Sequence, residues 1–212
     1  MYILDNKLFF PPVSLAGPDG LLAMGGDLSA ERLLLAYRNG IFPWYEGKEI
    51  LWWSPDPRFV LVPSELKVSK SMKALLRKET FSFTTDTAFE EVIRECKSIH
   101  RNNQQGTWIT EDIKKAYTAL YQLGYAHSAE CWKDGRLVGG LYGVRLGKIF
   151  FGESMFSRAS NASKYALIKY VSKLHAEGTL LVDCQVYTEH LESLGAKMIS
   201  RDIFVRLLKI YC

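Results

Sequence analysis

"TLLVDCQVYT", residues 179–188, opens as an internal β-strand should: Leu180, Leu181 and Val182 run together, and Val186 follows. Asp183 and Gln185 interrupt it two positions apart. Side chains at i and i+2 of a strand point the same way, so a carboxylate and a carboxamide are expected side by side. An unpaired charge inside a protein is costly or is forced neutral. The strand is therefore either a core strand with a satisfied polar pair or one wall of a cleft.

Its neighbours in the chain bear on that choice. Upstream lies a helix in "NASKYALIKYVSKLHAEG" (161–178), with Asn161 or Ser163 as the expected cap. Before it, residues 125–157 hold three strands joined at Asp134–Gly135 and Leu146–Gly147, both good hairpin turns. Three helices precede these: "SKSMKALLRKE" (69–79), "DTAFEEVIRECKSI" (86–99), capped by Asp86 or Thr87, and "EDIKKAYTALYQLG" (111–124). A polar loop, residues 101–110, separates the last two. Downstream come a helix at "TEHLESLG" (188–195) and a final strand near "KMISRDIFVRLL" (197–208).

The first third differs in character. It is rich in Gly, Pro and aromatic residues, with one helix capped by Ser29, running through Tyr37–Arg38 and stopped at Gly40. "ILWWSPDPRFVLVP" (50–63) reads as two short strands broken by the Pro55–Pro57 turn. Two domains are expected, a small N-terminal unit over 1–63 and a larger one over 64–212.

Composition sets outer bounds. The 212 residues are 48% hydrophobic and 24% charged, an ordinary globular balance that excludes disorder. A net charge of +4 suits a nucleic-acid partner without requiring one. Cys96, Cys131, Cys184 and Cys212 share no CxxC spacing, so neither a zinc knuckle nor a redox pair is suggested. "MYILDNKLFF" has no basic stretch of a signal peptide, and no apolar run approaches the roughly 18–20 residues that span a bilayer. A cytoplasmic protein with reduced thiols is expected.

From about residue 66 the order is helices, three antiparallel strands, helix, strand, helix, strand. That order resembles the GNAT N-acetyltransferases, down to "HLESLGAKMI" (190–199). The resemblance implies an α+β fold: a GNAT-like acyltransferase domain with a mixed, mostly antiparallel sheet flanked by helices, beside the aromatic-rich N-terminal unit. In such a domain the third strand and the strand after the helix splay apart. "IFFGESMF" and "LLVDCQV" would then flank a cleft lined by Asp183 and Gln185.

An acyltransferase that uses coenzyme A needs a glycine-rich turn of the form [QR]xxGx[GA] to cradle pyrophosphate at the helix N-terminus. The corresponding "SRASNAS" (157–163) contains no glycine. The donor must be held elsewhere. Trp44 and Trp108 lie in loops of turn and polar residues, and flat side chains near basic ones grip unpaired nucleotides. Lys70, Lys73, Arg77 and Lys78 form a basic helix side. The ordinary alternatives are a tryptophan in the core and a merely solvated face.

"LLAMGGDLS", "AYRNGIFPWY", "LWWSPDPR", "GTWIT", "AHSAECW", "LVGGLYGV", "FFGESMFS", "NASKYAL", "VDCQV" and "LGA" resemble, in order from about residue 20 to 197, the leucyl/phenylalanyl-tRNA–protein transferases. The resemblance implies transfer of Leu or Phe, with Met as a further candidate, from aminoacyl-tRNA to proteins beginning with Lys or Arg, marking them for degradation. It places Trp44 and Trp108 around the terminal adenosine, with Tyr37 and Tyr117 near the acceptor end. It makes Leu141, Phe150, Met155, Leu167, Tyr170 and Val182 the wall of the donor side-chain pocket. Glu153, Asp183 and Gln185 become the polar residues at the centre. A monomer without cofactor or metal is expected, and His127 and His190 form no triad with Ser or Cys. The proton acceptor stays open among Asp183, Glu153 and the ribose hydroxyl. Two other classes compete: a thioester-dependent N-acyltransferase, disfavoured by the missing glycine turn, and a non-catalytic RNA-binding module, which needs no apolar pocket beside paired polar groups.

Overall fold

The computed structural model describes residues 1–78, 80–99 and 108–212. Two sheets organise them. The smaller contains β1 (Tyr2–Leu4), β2 (Leu21–Gly25), β3 (Phe42–Pro43) and β4 (Leu51–Trp53), with α1 (Ala30–Arg38) between β2 and β3 in the chain. The larger contains β5 (Arg58–Leu61), β6 (Ser82–Thr85), β7 (Ala126–Lys133), β8 (Arg136–Leu146), β9 (Ile149–Ser157), β10 (Leu181–Gln185) and β11 (Lys197–Ile199). Their spatial order is β11-β5-β10-β9-β8-β7-β6. The β9–β10 pair is parallel and the others in this sheet are antiparallel. Six helices accompany it: α2 (Lys70–Arg77), α3 (Phe89–Ser98), α4 (Glu111–Gln122), α5 (Ala162–Ala176), α6 (Glu189–Glu192) and α7 (Arg201–Tyr211). The fold is α+β with a mixed, mostly antiparallel sheet, as the element order implies.

Local chemistry explains most boundaries. Asp134 and Gly135 both have positive φ (50° and 72°), the turn that matches the twist of the β7–β8 hairpin. Ser29, Ser69, Thr110 and Ser200 each accept the backbone N–H three residues on, capping α1, α2, α4 and α7. Strand alternation then sorts the apolar side chains into two clusters. Phe59, Leu61, Leu141, Phe150 and Val182 pack with α5. Val60, Tyr142, Phe151 and Leu181 pack with α3, α4, α7 and the N-terminal unit.

Several expectations need correction. The two short strands do not share a sheet: the sheets divide the chain between Trp53 and Arg58, because buried β5 pairs with β10 and β11. The Pro55–Pro57 turn hands the chain from one sheet to the other. Residues 82–85 add an unexpected strand, paired with β7. The last strand ends at Ile199, and the Ser200 cap starts a helix whose Phe204 and Leu208 are buried at i, i+4 spacing. Neither Asp86 nor Thr87 caps α3; Asp86 instead accepts the Ser128 N–H at 2.8 Å and meets His127 at 2.9 Å. Asn161 lies at φ 65° without a side-chain cap bond, and the Ser157 hydroxyl accepts the Ser163 N–H from β9. Of the polar loop expected at 101–110, residues 101–107 lie outside the described residues.

One glycine makes room for an irregularity in β9. Gly143 faces Gly152 while Tyr142 faces Ser154, so Glu153 is the extra residue of a β-bulge. A Cβ on Gly143 would stand 2.1 Å from the Phe151 carbonyl oxygen and 2.5 Å from the Phe150 ring. Gly143→Ala must therefore disturb the bulge, at a cost of about 1–3 kcal/mol or more, which is roughly 2–10 °C for a chain of this size. Gly124→Ala meets no atom within 4 Å and bears only the strain of its φ of +78°. Thermal unfolding should show the larger loss for Gly143→Ala. Equal losses would mean that the missing side chain does not hold the bulge.

Candidate active site

β9 and β10 pair for three residues, Leu181↔Ile149, Val182↔Phe150 and Asp183↔Phe151; β9 then runs on to Ser157 without its neighbour. The wedge so opened is a cleft of about 400 Å³. Leu141, Phe150, Met155, Leu167 and Val182 line it, as expected of the pocket. Tyr170 does not reach the wall. It is buried behind Phe150, edge-on at 5.1 Å, and burial pushes its phenol pKa up.

The polar residues approach from the opposite side of the sheet. Asp183 lies on the cleft lining together with Gln185, and it is fully buried. Arg58 of β5 binds both its oxygens, Nε to Oδ1 at 2.8 Å and Nη2 to Oδ2 at 2.7 Å. The guanidinium also donates to the Gly40 carbonyl at 3.2 Å and stacks at 4.7 Å against Phe42 and against Phe204. Asp183 Oδ1 accepts the backbone N–H of Gln185 at 2.9 Å. Between them the β5–β10 register shifts, and Gln185 takes a φ of 64°. The pair therefore does not stand side by side as in a regular strand. Gln185 reaches across the splay, and its Nε2 donates to Glu153 at 3.1 Å.

Glu153 ends up at the centre of a ring of protons. Tyr37 of α1 donates to Oε1 at 2.8 Å, and Tyr117 of α4 donates to Oε2 at 3.0 Å. The two phenols also bond to each other. Burial pushes the Glu153 pKa up to about 7, against the two tyrosine hydrogen bonds, which lower it. The negative charge of Asp183 raises it further and Arg58 lowers it. Burial also holds both phenols well above their ordinary pKa, so they stay protonated.

The residues expected to hold RNA are spread over several settings. Tyr37 and Tyr117 are buried around Glu153 rather than laid open. Trp44 is half-buried against Trp53, with ring centres 5.8 Å apart. Trp108 is packed into the core at 6% exposure, so it offers no open stacking face in this state. The loops of the two tryptophans nevertheless meet, since Tyr45 hydrogen-bonds Thr110. Lys70, Lys73, Arg77 and Lys78 are all exposed on α2 and its C-terminal cap.

Sequence reasoning passes over Arg58. The signal is present: one arginine beginning the apolar run "RFVLV" and one aspartate inside "LLVDCQV" are opposite charges in two strands with no other use for them. Buried charges find partners.

Comparison with known proteins gives the family of the chain. A family model described as leucyl/phenylalanyl-tRNA protein transferase matches residues 60–209, and one described as the N-terminal domain of the same family matches residues 26–56. The leucyl/phenylalanyl-tRNA–protein transferase of Syntrophobacter fumaroxidans is 58% identical over 209 residues, covering 98% of this chain and 89% of the relative. That of Christiangramia forsetii is 54% identical over 211 residues, covering 98% and 100%. A solved GCN5-related N-acetyltransferase from Kribbella flavida overlaps 84% of this chain and 64% of its own, with a TM-score of 0.43 and 10% identity. On the extent of the family match and the identity of its relatives, the chain belongs to the leucyl/phenylalanyl-tRNA protein transferase family and is a transferase enzyme.

Proposed function

We propose that this chain moves Leu or Phe, with Met as a further donor, from aminoacyl-tRNA to the α-amine of proteins beginning with Lys or Arg, forming a peptide bond and an N-terminal mark for degradation. It acts as a cytoplasmic monomer without cofactor. The observation that carries this reading is the apolar cleft of about 400 Å³ between splayed strands, with the Glu153 carboxyl on its wall. An aliphatic or aromatic donor side chain fills the cleft, and the ester carbonyl then lies near Glu153 and Gln185.

The reaction is aminolysis of an ester. The amine nitrogen bonds to the carbonyl carbon, the bond from that carbon to the ribose oxygen breaks, and the amine gives up a proton while the ribose oxygen gains one. An α-amine has a pKa of about 7.7–8.0, so freeing its lone pair at neutral pH costs only about 1 kcal/mol. Orientation is the larger contribution, since effective molarities reach about 10⁵ M and above. Gln185 gives its N–H to Glu153, which leaves its carboxamide oxygen to accept from the attacking amine. Asp183 is engaged by Arg58 and by the Gln185 backbone, so its role is to position Gln185. Glu153, near pKa 7, is matched to receive the proton. The RNA is gripped through its backbone by the basic side of α2, Lys70, Lys73, Arg77 and Lys78. Trp44 meets the terminal adenosine, while Trp108, closed into the core, supports the adjoining loop, with Tyr37 and Tyr117 behind them.

Glu153→Gln should lower single-turnover transfer at saturating aminoacyl-tRNA by about 10²–10⁴-fold with affinity nearly intact. The same variant tests the raised pKa. A carboxyl that titrates near 4.5 unfolded and near 7 folded binds its proton more tightly when folded. The wild type therefore loses stability as pH rises through that window, on the order of 2 kcal/mol, whereas the Gln variant does not. Melting curves should show Glu153→Gln gaining on the wild type from pH 5 to pH 8. A constant gap would put Glu153 back at an ordinary pKa.

Met155→Ala enlarges the cleft and should relax donor choice by tens to a few hundredfold, the worth of one or two methylenes in an apolar pocket, roughly 1–3 kcal/mol each. Competition between Leu-tRNA and donors with other side chains measures it; an unchanged profile removes Met155 from the wall.

Reversing the charge of Lys70, Lys73, Arg77 and Lys78 should weaken transfer for every tRNA sequence alike. It should also flatten the salt dependence by about 0.7–0.9 log unit per decade of salt for each phosphate no longer engaged. An unchanged rate at limiting tRNA would leave the face merely solvated.

A further inference from the structure

Arg58 is a cation sealed inside the protein. Its guanidinium holds Asp183 by two bonds, reaches the Gly40 carbonyl and lies 4.7 Å from the ring centres of Phe42 and Phe204. Such a pair is weak evidence of stabilisation, because well-packed apolar residues often do as well in its place. What it touches is more telling. The oxygen of Asp183 that Arg58 Nε fixes also accepts the Gln185 N–H, at a residue whose φ of 64° is disfavoured for any side chain with a Cβ. That conformation aims the Gln185 carboxamide at Glu153. A continuous line of bonds thus runs from Arg58 through Asp183 and Gln185 to the carboxyl at the cleft.

We infer that Arg58 is a positioning residue for the transfer reaction: through Asp183 it holds Gln185 turned toward Glu153, and it balances the charge beside Glu153. The inference rests on the acyl-transfer reading of the cleft. It makes the segment of Gly40 and Phe42 from the N-terminal unit, and Phe204 of α7, part of the support of the site, since they contact the guanidinium.

The charge effect has a definite sign. The groups that face Glu153 are Tyr37 from α1, Tyr117 from α4, Asp183 and Gln185 from β10, and Arg58 from β5, with Tyr142 of β8 edge-on to Tyr117. Asp183 raises the Glu153 pKa and Arg58 lowers it. Removing the cation alone leaves the anion uncompensated, so Glu153 should titrate higher. Removing both charges should undo that change without restoring the hold on Gln185.

The experiment compares Arg58→Lys, Arg58→Met and Arg58→Met/Asp183→Asn with the wild type. For each, aminoacyl-tRNA affinity and single-turnover transfer are measured from about pH 6 to pH 9. The Glu153 carboxyl is titrated by carbon-13 NMR, its resonance identified by its loss in Glu153→Gln. The amine belongs to the substrate, so differences in midpoint between variants report the protein. Arg58→Lys keeps the charge and loses the fork; it should slow transfer about 10–100-fold, the effect of a slight misplacement, with affinity within about threefold and an unmoved midpoint. Arg58→Met should raise the midpoint by about half a pH unit or more. The double variant should return the midpoint to the wild-type value or below while remaining slow. An unmoved midpoint in folded Arg58→Met, or a rate loss that only mirrors the unfolded fraction, overturns the inference. Should Arg58→Met not fold, Arg58→Lys decides: loss of rate at kept affinity supports positioning, and equal loss of both, or of neither, refutes it. A wild type that transfers nothing would defeat the functional reading, while the NMR midpoints would still report on Arg58.

Discussion

Two opposite charges, Arg58 and Asp183, are buried on neighbouring strands in the interior of the larger sheet, at 1% and 0% exposure. Taking both out of water costs several kcal/mol per ion, and only excellent geometry offsets it. Here the geometry is two N–H···O bonds to one carboxylate, a carbonyl for the third nitrogen and two aromatic rings 4.7 Å from the guanidinium carbon. The requirement propagates outward. Phe42 and Gly40 must come from the N-terminal unit, and Phe204 must come from a helix near the C-terminus. Removing one partner alone would leave an uncompensated buried charge, at about 3–5 kcal/mol. The pair therefore ties three distant parts of the chain to one point.

The site is assembled across the thickness of the sheet. Val182, Phe150 and Leu141 turn toward α5 and give the cleft its apolar wall; Asp183 turns the other way toward Arg58. In a regular sheet these faces would stay separate. Two irregularities join them. The bulge at Glu153, allowed by Gly143, and the register shift before Gln185 swing both polar side chains into the gap where β9 and β10 part. The strain of a positive φ at Gln185 is held by the Asp183 hydrogen bond, as strained backbone at functional sites generally needs fixed surroundings.

Much of this is legible in the sequence, and the reasons for the rest are physical. Asp134–Gly135, Ser29 and the apolar alternation of residues 126–157 are local signals and point to the right elements. The segment "KMISRDIFVRLL" reads as a strand because Ile, Phe and Val favour strands, yet tertiary packing of Phe204 and Leu208 against the N-terminal cluster prevails. The β5 strand looks like half of a local pair with β4, and nothing within a window of a few residues says that its partners lie at 182–185 and 197–199. Placing Asp183 and Gln185 on one face assumes unbroken alternation, which a bulge defeats. The apolar pocket residues come from family resemblance; Leu141, Phe150, Met155, Leu167 and Val182 line the cleft, and Tyr170 stands behind Phe150.

The division into two matched segments, residues 26–56 and 60–209, leaves Arg58 between them. By its contacts it belongs to both. Its strand is part of the larger sheet, while Gly40 and Phe42 are contributed by the smaller unit, whose α1 also supplies Tyr37 to Glu153. The smaller unit is thus built into the site: two of its side chains and one carbonyl complete the polar half. A carboxyl near pKa 7 needs such enclosure, because the same group left open to water on a lone sheet would titrate like any glutamate. Enclosure by the N-terminal unit therefore contributes to the burial that raises the proton affinity of Glu153.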